Sequence, residues 1–197
     1  MQSLYYFIVK PLEERYDNIR RVNDTNLIIN SSIEDHRFIS KKAVVVSTPA
    51  AYTTKINIGD ELYIHHNIFR RWYDQKGKER NSSTYFKDNL YFAALEQIYM
   101  YNLKPHLDYC FIKPLKNQSL LENRKEQPNV GIVKYSNKSL EALGITPETL
   151  ITFTPNSEFE FIIEGERLYC MKSNDIALTH EHQGNEEENN PSWTKSS

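Results

Sequence analysis

The stretch GERLYCMKSNDIAL, residues 165–178, decides how this chain is read, because the earlier stretch NLYFAALEQIYMY, residues 89–101, echoes it. Leu90, Tyr91 and Ile98 in the first recur with the same gaps as Leu168, Tyr169 and Ile176 in the second. The echo extends outward. Each half opens on nearly the same words, FIVKPL at residues 7–12 and CFIKPL at residues 110–115. Apolar residues running into Lys-Pro describe a strand that ends where proline removes a ladder donor. A polar stretch without clear period follows each, residues 13–42 and 116–129, and reads as loop. Next come β-branched runs, KKAVVVST at residues 41–48 and NVGIVKYS at residues 129–136, both strand-like. IGDELYIHH, residues 58–66, and PETLITFTP, residues 147–155, then each add a turn with an acidic residue and another strand. Five features in one order, twice, predict two copies of one β-rich module joined near residues 102–108.

At 197 residues and 23.2 kDa the chain has room for two small domains, each able to close a modest core. Short strands, scattered turns and the lack of a sustained 3.6-residue apolar period suggest an all-β protein of barrels. The one helical stretch is SLEALGI, residues 139–145. The expected boundaries are 1–103 for the first barrel, with an inserted hairpin at 65–89, and 104–180 for the second. Residues 181–197, polar and acidic with Trp193 as their one aromatic, are expected to form a disordered tail. No apolar run approaches the roughly 18 to 20 residues of a membrane span, so no membrane partner is expected. The opening MQSLYYFIVKPLEER lacks the pattern of a secretory signal, which points to a cytoplasmic protein.

Net charge is −2, which argues against a uniformly basic nucleic-acid coat. The halves differ: residues 1–103 hold 14 basic and 12 acidic side chains, about +2, and residues 104–197 hold 10 and 14, about −4. Cys110 and Cys170 are the only cysteines, each in an apolar run where a buried thiol acts as a small hydrophobe. His65 and His66 are adjacent on an expected strand, so their side chains should point to opposite faces. His180 and His182 sit where structure should dissolve into the tail. Glu158, Glu160, Glu164 and Glu166 alternate with Phe159, Phe161 and Ile163, the pattern of a half-exposed strand with a solvated acidic face. There is no phosphate-cradling glycine loop, nucleophile elbow or zincin pair, and only six glycines in all. The expectation is a protein that binds, without catalytic residues, cofactor or metal.

The insertion HHNIFRRWYDQKGKERNSSTYFKDN, residues 65–89, interleaves Arg70, Arg71, Lys76, Lys78, Arg80 and Lys87 with Phe69, Trp72, Tyr73, Tyr85 and Phe86. Such a mixture suits a solvated hairpin or a protein interface, where Trp, Tyr and Arg are the usual anchors. It also suits stacking on nucleic-acid bases, the least favoured reading here. Phe69, Arg70, Arg71, Trp72 and Tyr73 are the candidate interface residues.

The second module, ITPETLITFTPNSEFEFIIEGERLYCMKSNDIAL, resembles the closing half of a GroES-type co-chaperonin subunit. The matching positions are Pro147 and Glu148 in place of the family's Gly-Asp turn, then Glu164, Gly165 and Glu166, and Asp175 and Ile176. The first module supplies the Gly-Asp itself as Gly59 and Asp60, and the Lys-Pro-Leu strand resembles the family's first strand in both copies. The resemblance covers about residues 5–180. It implies two tandem, partly closed GroES-like β-barrels acting as a lid or adaptor on a chaperonin ring, assembled as a homo-oligomer. It also implies a mobile loop after the first strand that offers an apolar tripeptide to the chaperonin, here Leu27, Ile28 and Ile29. Asp24, Thr25 and Asn26 stand where the family usually has glycines, and Leu120 and Leu121 are a poor second copy. The glycine-poor, asparagine-rich composition and tandem form suit a viral version, in the host cytoplasm or a virion. The alternative is a structural adaptor, such as a virion component, that reuses the barrel and assembles through the insertion.

Overall fold

The computed structural model describes residues 3–16, 19–22, 25–28, 35–117 and 126–180. The chain divides between Asn102 and Leu103 into two compact units. The first contains β1 (Phe7–Pro11), β2 (Ile19–Val22), β3 (Thr25–Ile28), β4 (Lys42–Ser47), β5 (Glu61–Ile64), β6 (Arg71–Tyr73), β7 (Glu79–Asn81), β8 (Tyr85–Lys87), β9 (Leu90–Ala93) and β10 (Ile98–Tyr101). The second contains β11 (Lys104–Pro105), β12 (Tyr109–Lys116), β13 (Glu126–Tyr135), β14 (Leu150–Phe153), β15 (Phe159–Ile163), β16 (Glu166–Lys172) and β17 (Ile176–His180), with one short helix, α1 (Lys138–Glu141). The fold is all-β, and its strand pairs are antiparallel.

The two units repeat one ladder. In the first the order is β10-β5-β4-β1-β9-β8, and in the second it is β17-β14-β13-β12-β16-β15. Register agrees as well: Val9 faces Val45 and Tyr91, as Ile112 faces Val133 and Tyr169. A bulge falls between Ile8 and Val9 in one unit and between Phe111 and Ile112 in the other. Ile98 faces Ile64, and Ile176 faces Phe153. The Leu-Tyr and Ile positions of the opening echo are therefore structurally equivalent. So are the inward-facing residues, with Phe7, Val9, Val45, Leu62 and Ile64 of one core matched by Cys110, Ile112, Val133, Ile151 and Phe153 of the other. Alternation explains the pattern: in β4 every second side chain, Ala43, Val45 and Ser47, is buried. Both cysteines are buried and free, and burial pushes the Cys110 thiol up to about 12.

The turn before β5 recurs before β14, one residue out of step with the sequence match. Gly59, at φ +90°, donates its N–H to the Val45 carbonyl, and Glu148, at φ +70°, donates to Val133. Asp60 accepts from the Asn57 N–H through its carboxylate, and Thr149 accepts from Thr146 through its hydroxyl. Glu148 thus takes the place of Gly59, and Thr149 that of Asp60. Pro147, inside the Thr146–Thr149 turn, takes the place of Ile58. A left-handed glutamate is strained where glycine is not. Glu148→Gly is therefore expected to raise stability in urea unfolding by about 0.5 to 1 kcal/mol.

Several expectations change. The ladders are not closed by strand pairing: among the described residues none joins β8 to β10 or β15 to β17. β8 has only three residues, all with exposed side chains. The stretch 13–42 is not plain loop, since β2 and β3 form a separate two-stranded hairpin. The strand expected over residues 58–66 is confined to Glu61–Ile64. The helix is one turn, Lys138–Glu141, begun by Asn137, whose side chain accepts the Leu140 N–H, and ended by Gly144 at φ +79°. The tail, residues 181–197, lies outside the described residues. The insertion is also smaller than its expected span. β8 occupies in the first ladder the place of β15 in the second, and each enters its neighbour through a two-residue left-handed turn, Asp88-Asn89 or Glu164-Gly165. What is added is a 3-10 turn (His66–Ile68) and the β6–β7 hairpin.

Candidate protein-interaction surfaces

Leu27 and Ile28 lie on a strand. In the β2–β3 hairpin, Leu27 pairs with Arg20 and Ile28 with Ile19, and the pair forms a two-stranded sheet outside the main ladder. The hairpin stands between β1 and β4 in the chain. Ile29 lies outside the described residues, as do Leu120 and Leu121.

The five candidate residues of the insertion separate. Phe69 is fully buried, edge-on to Tyr91 at 4.8 Å, and belongs to the core of the first unit; it is no interface residue. Its apolar ring beside Ile68 seats the hairpin, while the Arg15 guanidinium holds the base by donating to the Phe69 and Arg70 carbonyls and to Asn81 Oδ1. Burial lowers the pKa of Arg15, against the pull of Tyr91 and Tyr16. Arg71 is half-buried, 4.5 Å over the Tyr16 ring, and ion-paired with Glu79 at 3.0 Å, so its charge is largely spent inside the unit. Arg70 is exposed. Trp72 and Tyr73 are 41% and 51% exposed, which makes them the contact-competent members of the set. At the hairpin tip the Asp74 carboxylate accepts the Lys76 and Lys78 N–H groups and pairs with Arg80. These bonds, led by the Lys78 N–H, lower the Asp74 pKa.

Beside the hairpin the structure shows an aromatic array that sequence reasoning left unassembled. Phe86 on β8 lies 5.1 Å from Phe92 on β9, and Phe92 lies 5.9 Å from Tyr6. Tyr6 and Phe86 are exposed, and Tyr5 and Leu4 continue the surface. The Tyr-Tyr pair ahead of the first strand was the available signal, but only register brings it beside Phe92.

His65 and His66 do not lie on a strand but follow β5 directly. His65 caps the 3-10 turn, its Nδ1 accepting the Asn67 N–H, and its ring stacks on His66 at 4.5 Å, with His36 at 5.4 Å from His66. Burial first, then neighbouring His65, His36, Lys41 and Arg70, lowers His66 from 6.5 to about 4. Its folded pKa lies below the unfolded one, so the unfolded chain binds the extra proton and stability falls as pH drops from about 6.5 towards 4. The thermal midpoint is expected to decline over that window, and His66→Gln to flatten the decline. An unchanged slope in the variant would remove His66 as its source. Among the described residues no group of three or more His, Cys, Asp or Glu is placed to hold a metal ion.

The acidic strand face of the second unit is more than solvated. Glu160 and Glu126 both pair with Arg167, Glu166 pairs with Lys134 at 3.1 Å, and Glu164 accepts from the Tyr135 hydroxyl. His180 shares a 2.7 Å hydrogen bond with Thr152 Oγ1, and His182 lies outside the described residues. Among the described residues no helix is long and apolar enough to cross a membrane.

No protein-family model matches the chain, and a comparison with curated proteins finds no match either.

Proposed function

We propose that this chain is a non-enzymatic binding protein of the co-chaperonin kind, a tandem pair of GroES-like modules that docks on a chaperonin ring through the β2–β3 hairpin. The observation that carries the reading is the place of Leu27 and Ile28. They are apolar residues on a hairpin outside the main ladder, inserted after the first strand, where the resembled family has its chaperonin-binding loop. A hairpin needs less ordering on binding than a free loop, so its apolar residues would bind at lower entropic cost. The repeated strand order supports a tandem of one module. A homo-oligomeric ring and partial closure of each barrel belong to the same proposal.

Sedimentation of the protein with a bacterial-type chaperonin and ADP tests it. Nucleotide-dependent co-migration is expected, and Leu27→Asp with Ile28→Asp is expected to reduce it at least tenfold, about 1.4 kcal/mol or more. Co-migration unaffected by the double variant would remove the hairpin as the contact, and none under any nucleotide condition would remove the chaperonin.

The exposed Trp72 and Tyr73 favour the second reading, an assembly adaptor. There, Trp72→Ala with Tyr73→Ala abolishes self-assembly while the Leu27/Ile28 variant leaves it intact.

A further inference from the structure

We propose that His36, His65 and His66 form a proton-operated latch that holds residues 35–40, the return limb of the β2–β3 insertion, against the first unit and releases it in acid. The latch lies within the first unit and does not depend on what the hairpin binds. The insertion leaves the ladder after β1 and returns to β4 along this limb, and its two ends meet in a neck. There Tyr16 bridges Ile39, both buried, and the Ser40 N–H donates to the Arg15 carbonyl at 3.0 Å. His36 stands just before the neck, on a turn closed by the Phe38 N–H, which donates to the Asp35 carbonyl. Its ring lies 5.4 Å from that of His66, which stacks at 4.5 Å on His65. Limb and body therefore meet through imidazoles.

Neutral imidazoles can stack in this way, whereas imidazolium ions so close repel one another. The surroundings sharpen the effect. Lys41, at the end of the limb, bears on both His65 and His66, and Arg70, after the 3-10 turn, bears on His66. Asp35, the carboxylate next to His36 in the chain, accepts the Arg37 N–H and pairs with the Arg37 guanidinium at 2.7 Å, which holds its pKa down. From β10, Tyr99 brings a neutral ring 6.2 Å from His65. His65 Nδ1 accepts the Asn67 N–H at 3.0 Å, a bond that a proton on that nitrogen would break. Protonation therefore strikes the cap of the turn as well as the stack. His36 is exposed, so the cluster is open to water.

The direction follows from linkage. In the latched state burial, then His65, His36, Lys41 and Arg70, brings His66 down from 6.5 to about 4. Release into water restores its ordinary value. The released limb leaves a His66 that binds its proton more tightly, so release is favoured as pH falls through the window from about 6.5 to about 4. Full release of His66 would raise the open fraction by up to about thirtyfold between pH 7.5 and pH 5. The equilibrium is a local opening, distinct from unfolding of the ladder.

Native-state hydrogen exchange of the full-length protein, resolved by amide and corrected for the intrinsic pH dependence of exchange, tests the latch. Protection of the Phe38 and Ser40 amides is expected to fall by about ten- to thirtyfold between pH 7.5 and pH 5. The Val45 amide, which donates to the Asp60 carbonyl from within β4, is expected to keep its protection. In the triple variant His36→Gln, His65→Gln, His66→Gln the fall at Phe38 and Ser40 is expected to shrink to about threefold or less. His66→Gln alone removes most of it and serves if the triple variant does not fold, which circular dichroism and the thermal midpoint at pH 7.5 decide. Protection at Phe38 and Ser40 that is constant with pH in the parent protein overturns the proposal. So does a fall that persists undiminished in a folded variant, or one that Val45 shares in full.

Discussion

Arg167→Met is expected to destabilise the second unit by about 2 to 3 kcal/mol. The guanidinium is 11% exposed. It donates from Nε to Glu160 at 2.7 Å, from Nη1 to Glu126, and from Nη2 to the Tyr169 hydroxyl at 2.6 Å. Tyr169 in turn donates to Glu126 at 2.7 Å and lies under the guanidinium at 4.8 Å. Burial alone would lower the Arg167 pKa; the Glu160 hydrogen bond and charge, with Tyr169 and Glu126, raise it instead. Removing the cation leaves two carboxylates facing each other across β13, β15 and β16, each only about a quarter exposed. That residual exposure keeps the figure below the cost of a fully buried broken pair. Urea unfolding followed by circular dichroism measures it. A triple variant that also carries Glu126→Gln and Glu160→Gln should recover at least about half of the loss, because the penalty lies mostly in the stranded charges. A single-variant loss well under 1 kcal/mol would mean that water screens the network. Arg37→Ala provides the contrast: that arginine side chain is 58% exposed although its partner Asp35 is only 13% exposed, and a smaller loss is expected.

Gly131→Ala is expected to cost about 3 kcal/mol, at the upper end for an added methyl in a packed core. A Cβ at this position would stand 2.5 Å from Ile112 Cγ2 and 2.6 Å from the Lys113 carbonyl oxygen. The oxygen is backbone in the paired β12–β13 ladder, so it cannot yield without loss of register. Gly131 faces Pro114, and its counterpart Ala43 faces Pro11, so the first unit accommodates the methyl that the second excludes. The variant should unfold in two steps in urea, with the second unit first. A single transition at the parental midpoint would show that β12 shifts to make room.

The repeat was legible in the sequence because burial imposes it. Val9, Val45 and Tyr91, like Ile112, Val133 and Tyr169, face one core, and inward positions tolerate few residue types. The left-handed turn was misplaced by one residue because Glu148 does there what Gly59 does in the other copy, and a strained glutamate leaves no compositional mark. Phe69 reads as an interface residue because Arg70, Trp72 and Tyr73 beside it are surface residues, yet its ring is fully buried directly after the 3-10 turn at His66–Ile68. The Arg167 network joins residues up to 43 positions apart in sequence, beyond the reach of local patterns. Glu160 therefore reads as an ordinary solvated carboxylate. The hairpin carrying Leu27 and Ile28 reads as loop because strands of four residues are too short to show a period.

The shared register has a consequence for synthesis on the ribosome. β1 finds its partners β4 and β9 in residues that emerge much later, since β9 begins at Leu90, so the first unit stays unfinished until about a hundred residues have been made. β12 then arrives with nearly the same words as β1 and pairs in the same register. The two strands compete for one slot, and a β12 seated between β4 and β9 would give a strand-exchanged chain or an entangled pair of chains. Order of emergence resolves the contest, because β1, β4, β5, β9 and β10 are all present before β12 leaves the tunnel. Refolding from denaturant removes that head start. The yield of native protein should then fall below that of cotranslational folding, with the missing material in exchanged species.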